Sequence, residues 1–218
     1  MSDKTFIIGT RGSDLALAQS VLVQQALAKT QPDQEVEERI IKTIGDKRQD
    51  LKLTEFASQQ IVDKGIFTKE LEVALENGAI HAAVHSLKDV PTVLEEAFAI
   101  TAVLPREDTS DVLITKEPLE GGLKGLPEGA RLATSSVRRQ AQLQWHRPDL
   151  VVEEIRGNVP TRLGKLLAES GPHGLLLAMA GLKRLKMVQA GATSFGWDDQ
   201  TLHVTPLAPP EFLPACGQ

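Results

Sequence analysis

Strand-like and helix-like segments alternate along this chain almost from end to end, and no other feature constrains its fold as strongly. Short apolar runs bounded by Gly, Pro or hydroxyl residues, each leading into a stretch of helical periodicity, predict an α/β fold with parallel strands. Residues 5–10 form the first expected strand, Arg11-Gly12-Ser13 a turn, and residues 14–29 an amphipathic helix with Leu15, Ala18 and Leu22 on one face. Ser13 is a natural N-cap, because its hydroxyl can accept from an otherwise unpaired amide of the first turn. Residues 39–43 read as a second strand, and Phe67, Leu71, Ala74 and Leu75 fall at i, i+4, i+7, i+8 spacing ahead of a third strand at 81–87.

Residues 98–104 supply another apolar run, and Pro105-Arg106-Glu107-Asp108 interrupts the chain before a further strand at 111–115. After a loop rich in Gly and Pro at 118–129, strand, turn and helix resume at 131–134, at 151–155 and at 175–179. The second half resembles the first in organisation, with no repeat in residue identity. One domain crossover is expected near 104–108. A second is expected within 205–214, where Pro206, Pro209, Pro210 and Pro214 argue against both helix and central strand. The resulting division is residues 1–104 with 208–218 as one domain and 105–207 as the other. A chain that leaves one lobe, builds another and turns back creates a cleft, a favoured ligand site.

Composition removes several classes of function. With 41% hydrophobic and 24% charged residues the chain is of ordinary globular type. It has no run of about 20 apolar residues and no secretory signal in Met-Ser-Asp-Lys-Thr, so neither membrane nor export is expected and the cytoplasm is the default. A net charge of −5 argues against nucleic acid as a partner. Cys216 is the single cysteine, which rules out an intramolecular disulfide and a thiolate metal cage.

The chemistry gathers where strands give way to helices. His-Ala-Ala-Val-His-Ser-Leu-Lys-Asp-Val-Pro at 81–91 carries Ser86, Lys88 and Asp89 to the exit of its strand. That end of a buried strand is where open α/β folds bind ligands. Three other junctions share a recipe of hydroxyls and arginine: Thr10-Arg11-Gly12-Ser13, Thr134-Ser135-Ser136-Val137-Arg138-Arg139, and Arg156-Gly157-Asn158-Val159-Pro160-Thr161-Arg162. Helix N-terminal amides and guanidinium forks hold carboxylates and phosphates, so several such sites imply a polyanion. Asp89 is then expected as the lone carboxylate facing a basic wall, suited to a cationic reacting centre. His81 and His85 have metal-pair spacing only if helical, and here they fall in a strand, so no metal is expected.

These motifs resemble the hydroxymethylbilane synthase family, also called porphobilinogen deaminases. The matching stretches are Gly9-Thr10-Arg11-Gly12-Ser13-Asp14-Leu15-Ala16-Leu17-Ala18-Gln19, Thr43-Ile44-Gly45-Asp46, Lys64-Gly65-Ile66-Phe67-Thr68-Lys69-Glu70-Leu71 and His85-Ser86-Leu87-Lys88-Asp89-Val90-Pro91. Beyond them come Thr134 to Gln140, Arg156-Gly157-Asn158, Ala180-Gly181-Leu182-Lys183-Arg184-Leu185 and Leu213-Pro214-Ala215-Cys216-Gly217-Gln218. The resemblance implies two α/β lobes of the type II periplasmic-binding-protein kind with a cleft between them. It also implies a transferase that condenses porphobilinogen stepwise into the linear tetrapyrrole hydroxymethylbilane, for haem and chlorophyll biosynthesis.

By the same resemblance Asp89 is the catalytic carboxylate, which accepts pyrrole N–H bonds and stabilises the positive charge that develops as ammonia leaves. Arg11, Ser13, Gln19, Lys64, Ser86 and Lys88 in the first half are implied in binding substrate and the growing bilane. In the second half the implied set is Thr134, Ser135, Ser136, Arg138, Arg139, Arg156, Arg162 and Arg184. Phe67 corresponds to a ring-packing residue, and residues 47–63 to a mobile loop. The family carries a dipyrromethane cofactor on a cysteine of a third domain, which is not expected here, and its full-length members are usually monomeric. Cys216 falls in Leu-Pro-Ala-Cys-Gly-Gln, where an aliphatic residue is usual, and is not the attachment thiol. Pro160 departs from an expected glycine. The rival expectation is a two-lobed module that binds a polycarboxylate without turnover.

Overall fold

A break between Pro105 and Arg106 divides the chain into two units in the computed structural model, which describes residues 5–43 and 68–216. Lys64, Phe67 and the loop expected at 47–63 lie outside the described residues. No helix among the described residues is long and apolar enough to cross a membrane.

In the first unit the apolar run at the amino end becomes β1 (Phe6–Thr10), the centre of a parallel sheet. It is flanked by β2 (Val36–Ile40) and β3 (Ala82–Ala83) in the order β2-β1-β3. The turn after β1 starts α1 (Asp14–Thr30), and Ser13 caps it as expected by accepting from the Ala16 amide at 3.4 Å. Leu71 and Ala74 of α2 (Lys69–Glu76) bury against Ile80 beneath the sheet. Gly9 permits that closeness, because a Cβ there would lie 2.4 Å from Ile80 Cδ1.

Four expectations change in this unit, one being the strand expected at 81–87, which is paired only over Ala82–Ala83 before the backbone turns toward Leu87. The second strand is Val36–Ile40 rather than 39–43; its alternating Glu37, Glu38 and Arg39 suit the edge of a sheet, where charge is tolerated, and conceal it from an apolar count. On α1 the expected apolar face is incomplete, since Leu22 is exposed and Ser20 is the buried residue. Residues 98–104 form no strand, and Ile100, Val103 and Leu104 face solvent. An apolar run becomes a strand only where a neighbouring strand takes its backbone hydrogen bonds, and among the described residues no strand pairs with this one, the Phe98 amide bonding only locally to Glu95 O.

The second unit is built on β4 (Asp111–Thr115), β5 (Arg131–Ala133), β6 (Val151–Glu153), β7 (Gly174–Ala178), β8 (Ser194–Trp197) and β9 (Gln200–Leu207). Among the described residues they make one sheet ordered β6-β5-β7-β4-β9-β8. Helix α3 (Val137–His146) follows β5, α4 (Val159–Leu167) follows β6, and α5 (Met179–Arg184) follows β7. Both faces of the sheet are covered. Val112, Ile114, Leu175 and Leu177 pack with Leu163, Leu166 and Leu182 on one face, while Leu113 and Leu176 pack with Leu132, Leu143 and Phe212 on the other. That two-sided burial explains the unbroken apolar sequences of β4 and β7.

The expectation of parallel strands holds for β6-β5-β7, whereas β4 runs antiparallel to β7 and β9, and β8 and β9 form a hairpin the sequence did not announce. Its turn is Asp198-Asp199, with φ of 49° and 57°. Two left-handed residues match the twist of a hairpin but usually advertise themselves as Asn-Gly. Pro206 stands inside β9, contrary to expectation. The Val204 amide donates toward the β8 side, to Thr193 O, so two residues later the proline nitrogen faces the same side beyond the end of β8, where no ladder bond is lost. Residues 208–216, expected with the first domain, fall within the second unit, where Phe212 is buried.

The two units repeat one device. Each contains a parallel trio in which the first strand of the trio is central, the second lies on one side and the third on the other: β2-β1-β3 and β6-β5-β7. In each, too, the residue just before the third strand is a histidine paired doubly with the central strand. The His81 amide donates to Ile7 O at 2.8 Å while its Nδ1 accepts from Ile7 N at 2.9 Å. The His173 amide donates to Arg131 O at 2.8 Å while its Nδ1 accepts from Arg131 N at 3.0 Å. His81 is thereby engaged in strand pairing.

Gly174 opens β7 with so little room that a Cβ would lie 2.6 Å from Leu113 Cδ1 and 2.9 Å from Leu132 Cδ2, both fully buried. Gly174→Ala is expected to lower stability by about 1–3 kcal/mol in urea denaturation. An unchanged midpoint would mean that the leucines repack freely.

Candidate active site

Parallel strands deliver their carboxyl ends to one edge, and in the first unit β1 and β3 end side by side. The backbone leaves β3 with Val84 N still bonded to Gly9 O, then tightens into a 3-10 turn at Leu87–Asp89. That turn brings Asp89 Oδ2 to 3.9 Å from Arg11 Nη1 at the exit of β1, an ion-pair separation longer than a hydrogen bond. Both side chains are mostly covered, at 18% and 24% exposure. Ser86 donates to Gln19 Oε1 at 2.8 Å and ties the strand exit to α1. Thr10 is fully buried, its hydroxyl directed at the carbonyls of Arg11 and Ala16. Arg11, Ser13, Gln19, Ser86 and Asp89 therefore share one end of the unit, and Lys88 stands exposed beside Asp89.

His85 belongs to this group although its sequence context did not single it out. Burial holds its imidazole below the ordinary histidine value; Asp89 and Glu72 pull upward, and Arg11 pulls down. The ring is thus biased toward its neutral form next to the Asp89 carboxylate.

In the second unit β5, β6 and β7 end together and send α3, α4 and α5 away from that edge. Ser136 caps α3, accepting from the Arg139 amide, and Asn158 caps α4, accepting from the Thr161 amide at 3.0 Å. Pro160 is the second residue of α4, within the turn whose amides lack helical partners. Thr134 is buried, its hydroxyl accepting from Ser136 N, and Ser135 donates to Ile155 O. Both hydroxyls thus help to shape the junction.

The arginines differ sharply in how their charge is met. Arg156 is held by Glu154 at 2.9 Å. Arg138 and Arg139 both reach the carboxylate of Asp111, at 2.7 and 2.8 Å. Arg162 has no carboxylate partner among the described residues; it donates through Nε to Gly157 O at 2.7 Å. Burial, then the nearby positive charges of Arg139 and Arg156, push its guanidinium below the ordinary arginine value. Arg184 makes no hydrogen bond or ion pair among the described residues. The expectation of a single carboxylate facing unopposed arginines is corrected: Asp111 and Glu154 are carboxylates within the basic group. Asp111 was overlooked because it heads the apolar run Asp-Val-Leu-Ile-Thr, and an ionisable residue opening a fully buried strand was the available signal.

Below this edge the crossover segment is fastened to α5. Lys183 Nζ lies 2.8 Å from Asp108 Oδ2, while the Ser110 hydroxyl donates to Asp108 Oδ1 at 2.6 Å.

A family model described as "Porphobilinogen deaminase, dipyromethane cofactor binding domain" matches residues 6–218. A porphobilinogen deaminase of Moorella thermoacetica is 50% identical over 82% of this chain and 54% of its own length. One from Xylella fastidiosa is 46% identical over 97% of this chain and 63% of its own. One from Syntrophobacter fumaroxidans is 41% identical over 100% of this chain and 64% of its own. The chain thus spans less than two thirds of the length of these relatives. Among solved structures, a marine metagenome TRAP solute binding protein specific for aromatic acid ligands is similar with a TM-score of 0.41 at 14% identity, over 94% of this chain and 68% of that one. That likeness is too remote to carry an argument.

The Asp108 cluster yields a pH prediction. The Lys183 and then the Ser110 hydrogen bonds hold the Asp108 carboxyl down at about 2. A carboxylate depressed on folding stabilises above its unfolded value, and that contribution disappears as pH falls toward the folded one. Lys183→Met is expected to return the Asp108 titration, followed by carboxyl NMR, toward the usual aspartate range and to weaken the pH dependence of stability between about pH 4 and 2. An unmoved titration would show that Lys183 does not hold the group.

Proposed function

The chain belongs to the porphobilinogen deaminase family, and we propose that it supplies the substrate-holding lobes of a hydroxymethylbilane synthase. The reaction joins porphobilinogen units, with loss of ammonia, into the linear tetrapyrrole hydroxymethylbilane. The observation that carries this reading is Arg162, a largely covered guanidinium beside Arg139 and Arg156 with no carboxylate of its own among the described residues. Such a group is stabilised by an incoming anion, and porphobilinogen brings an acetate and a propionate.

The same donor set fits a dipyrromethane, whose acetate and propionate groups need guanidinium and helix-terminal amide partners. Arg139, Arg156 and Arg162 would hold them. When bound, that group supplies the nucleophilic pyrrole carbon from which the product grows. Asp89 accepts the pyrrole N–H of the reacting porphobilinogen. As the C–N bond to the ammonium group breaks and ammonia departs with the bond pair, positive charge develops on the pyrrole, and the fixed carboxylate opposes it. Neutral His85 leaves the negative charge of Asp89 undiminished, and Arg11 keeps the carboxylate directed. Ser13, Ser86, Lys88, Ser136, Arg138 and Arg184 complete the proposed binding set around substrate and growing chain.

In this reading the lobes divide near 104–106, and each contributes its own strand-end groups to binding. The work is part of haem and chlorophyll synthesis in the cytoplasm, in keeping with one cysteine in 218 residues.

The test is to incubate the protein with porphobilinogen and follow substrate loss together with the porphyrin formed when the product is oxidised. Asp89→Asn is expected to keep the fold and lower turnover on the order of a hundredfold or more, as for loss of a preorganised charge. Near-normal turnover in that variant would remove Asp89 from the chemistry. Binding of porphobilinogen without turnover by the unaltered chain would restrict it to a binding role.

A further inference from the structure

Asp111 is the most firmly anchored ionisable group near the arginines. It opens β4, with Ala178 of β7 opposite on one side and Leu207 of β9 on the other. Because β4 runs against β7, its first residue lies at the edge where β7 ends and α5 begins. The Asp111 side chain is only 2% exposed. One oxygen accepts from Arg139 Nε at 2.9 Å and lies 2.8 Å from its Nη2, a two-pronged grip. The other lies 2.7 Å from Arg138 Nη1, an ion pair without hydrogen-bond alignment, since that nitrogen donates to Leu213 O. Arg139 is further held by Nη1 donating to Leu176 O at 3.2 Å, and Arg138 Nη1 reaches Leu213 O at 2.5 Å.

A buried carboxylate is expensive to desolvate, and an aliphatic residue at the head of this apolar strand would avoid that cost. Its charge has a use here. Two guanidinium groups on one carboxylate retain a net positive charge, and Arg139 stands close enough to Arg162 for the two cations to repel. Left to that repulsion and to water, a long arginine side chain would turn outward. The two-pronged bond to a carboxylate fixed in the middle of a sheet prevents this.

We propose that Asp111 is a positioning residue for anion binding: it locks Arg139 beside Arg162 and holds Arg138 at the start of α3, so that ligand carboxylates meet guanidinium groups already set in place. Asp111 touches no ligand itself. The proposal rests on the reading of porphobilinogen as the ligand, and it extends that reading to a residue outside the arginine motifs.

The test is a calorimetric titration of unaltered protein and Asp111→Asn with porphobilinogen, combined with NMR of arginine Nε–H groups in the ligand-free proteins. Positioning predicts a dissociation constant at least tenfold weaker in Asp111→Asn with unchanged stoichiometry. It also predicts a slowly exchanging Arg139 Nε–H in the unaltered protein that becomes fast in the variant. Asp111→Glu, which keeps the charge, should recover part of the affinity. A merely structural role would instead lower the stoichiometry at an unchanged dissociation constant, and that result would overturn the proposal. If the unaltered protein binds no porphobilinogen, the functional reading fails, while the arginine signals still decide on Asp111: equal exchange in both proteins would reject it. Should Asp111→Asn not fold, the unaltered protein suffices, since a fast-exchanging Arg139 Nε–H there would also reject it.

Discussion

A guanidinium group taken out of water must find an opposing charge, carbonyl oxygens or a ligand. Most arginines of the second unit are provided for within the chain. Arg147 has Asp149, Arg156 has Glu154, and Arg138 with Arg139 shares Asp111. Arg162 has the single carbonyl of Gly157, and two other cations lie near it. This imbalance organises the site, because it leaves a local positive charge on a chain whose net charge is −5. In the proposed reading a ligand anion meets it.

The fold concentrates that imbalance at one edge. A parallel β2-β1-β3 arrangement in one unit and β6-β5-β7 in the other carries every strand-to-helix junction of a unit to the same end. Amides of the helix starts, capped by Ser13, Ser136 and Asn158, then add their partial positive charge to the arginines. The reversal of β4 adds what parallel strands alone do not. It brings the beginning of a buried strand, and hence Asp111, to the edge where the others end. In the first unit the same geometry produces the opposite balance, with the carboxylate of Asp89 at the strand end, Arg11 at 3.9 Å and His85 biased toward neutrality.

The sequence was most legible where local chemistry and tertiary structure agree. The Ser13 cap and the alternation of strands with helices could be read because turn residues and apolar runs act locally. It misled where pairing decides. Val36–Ile40 is a strand because β1 lies beside it, in spite of its charges; 98–104 is none because no strand among the described residues pairs with it. The Asp198-Asp199 hairpin and Pro206 within β9 depend likewise on twist and on which side of a strand is open. In the site, residue type indicated arginines and hydroxyls but not which were already engaged. Thr134 and Ser135 each bond to the backbone of their junction, and Asp111 looks like a strand residue and pairs with the arginines.

The account's central claim is that Arg162 is kept for a ligand at some expense to the fold. Thermal denaturation of the unaltered protein and of Arg162→Met, each with and without porphobilinogen, tests it directly. The account predicts that Arg162→Met alone melts at or above the unaltered protein, since a cation without a carboxylate partner has been replaced by an apolar chain of similar length. It also predicts that porphobilinogen raises the melting temperature of the unaltered protein and leaves that of the variant in place. A variant that melts lower yet is still stabilised by porphobilinogen would contradict it, and would make Arg162 part of the scaffold.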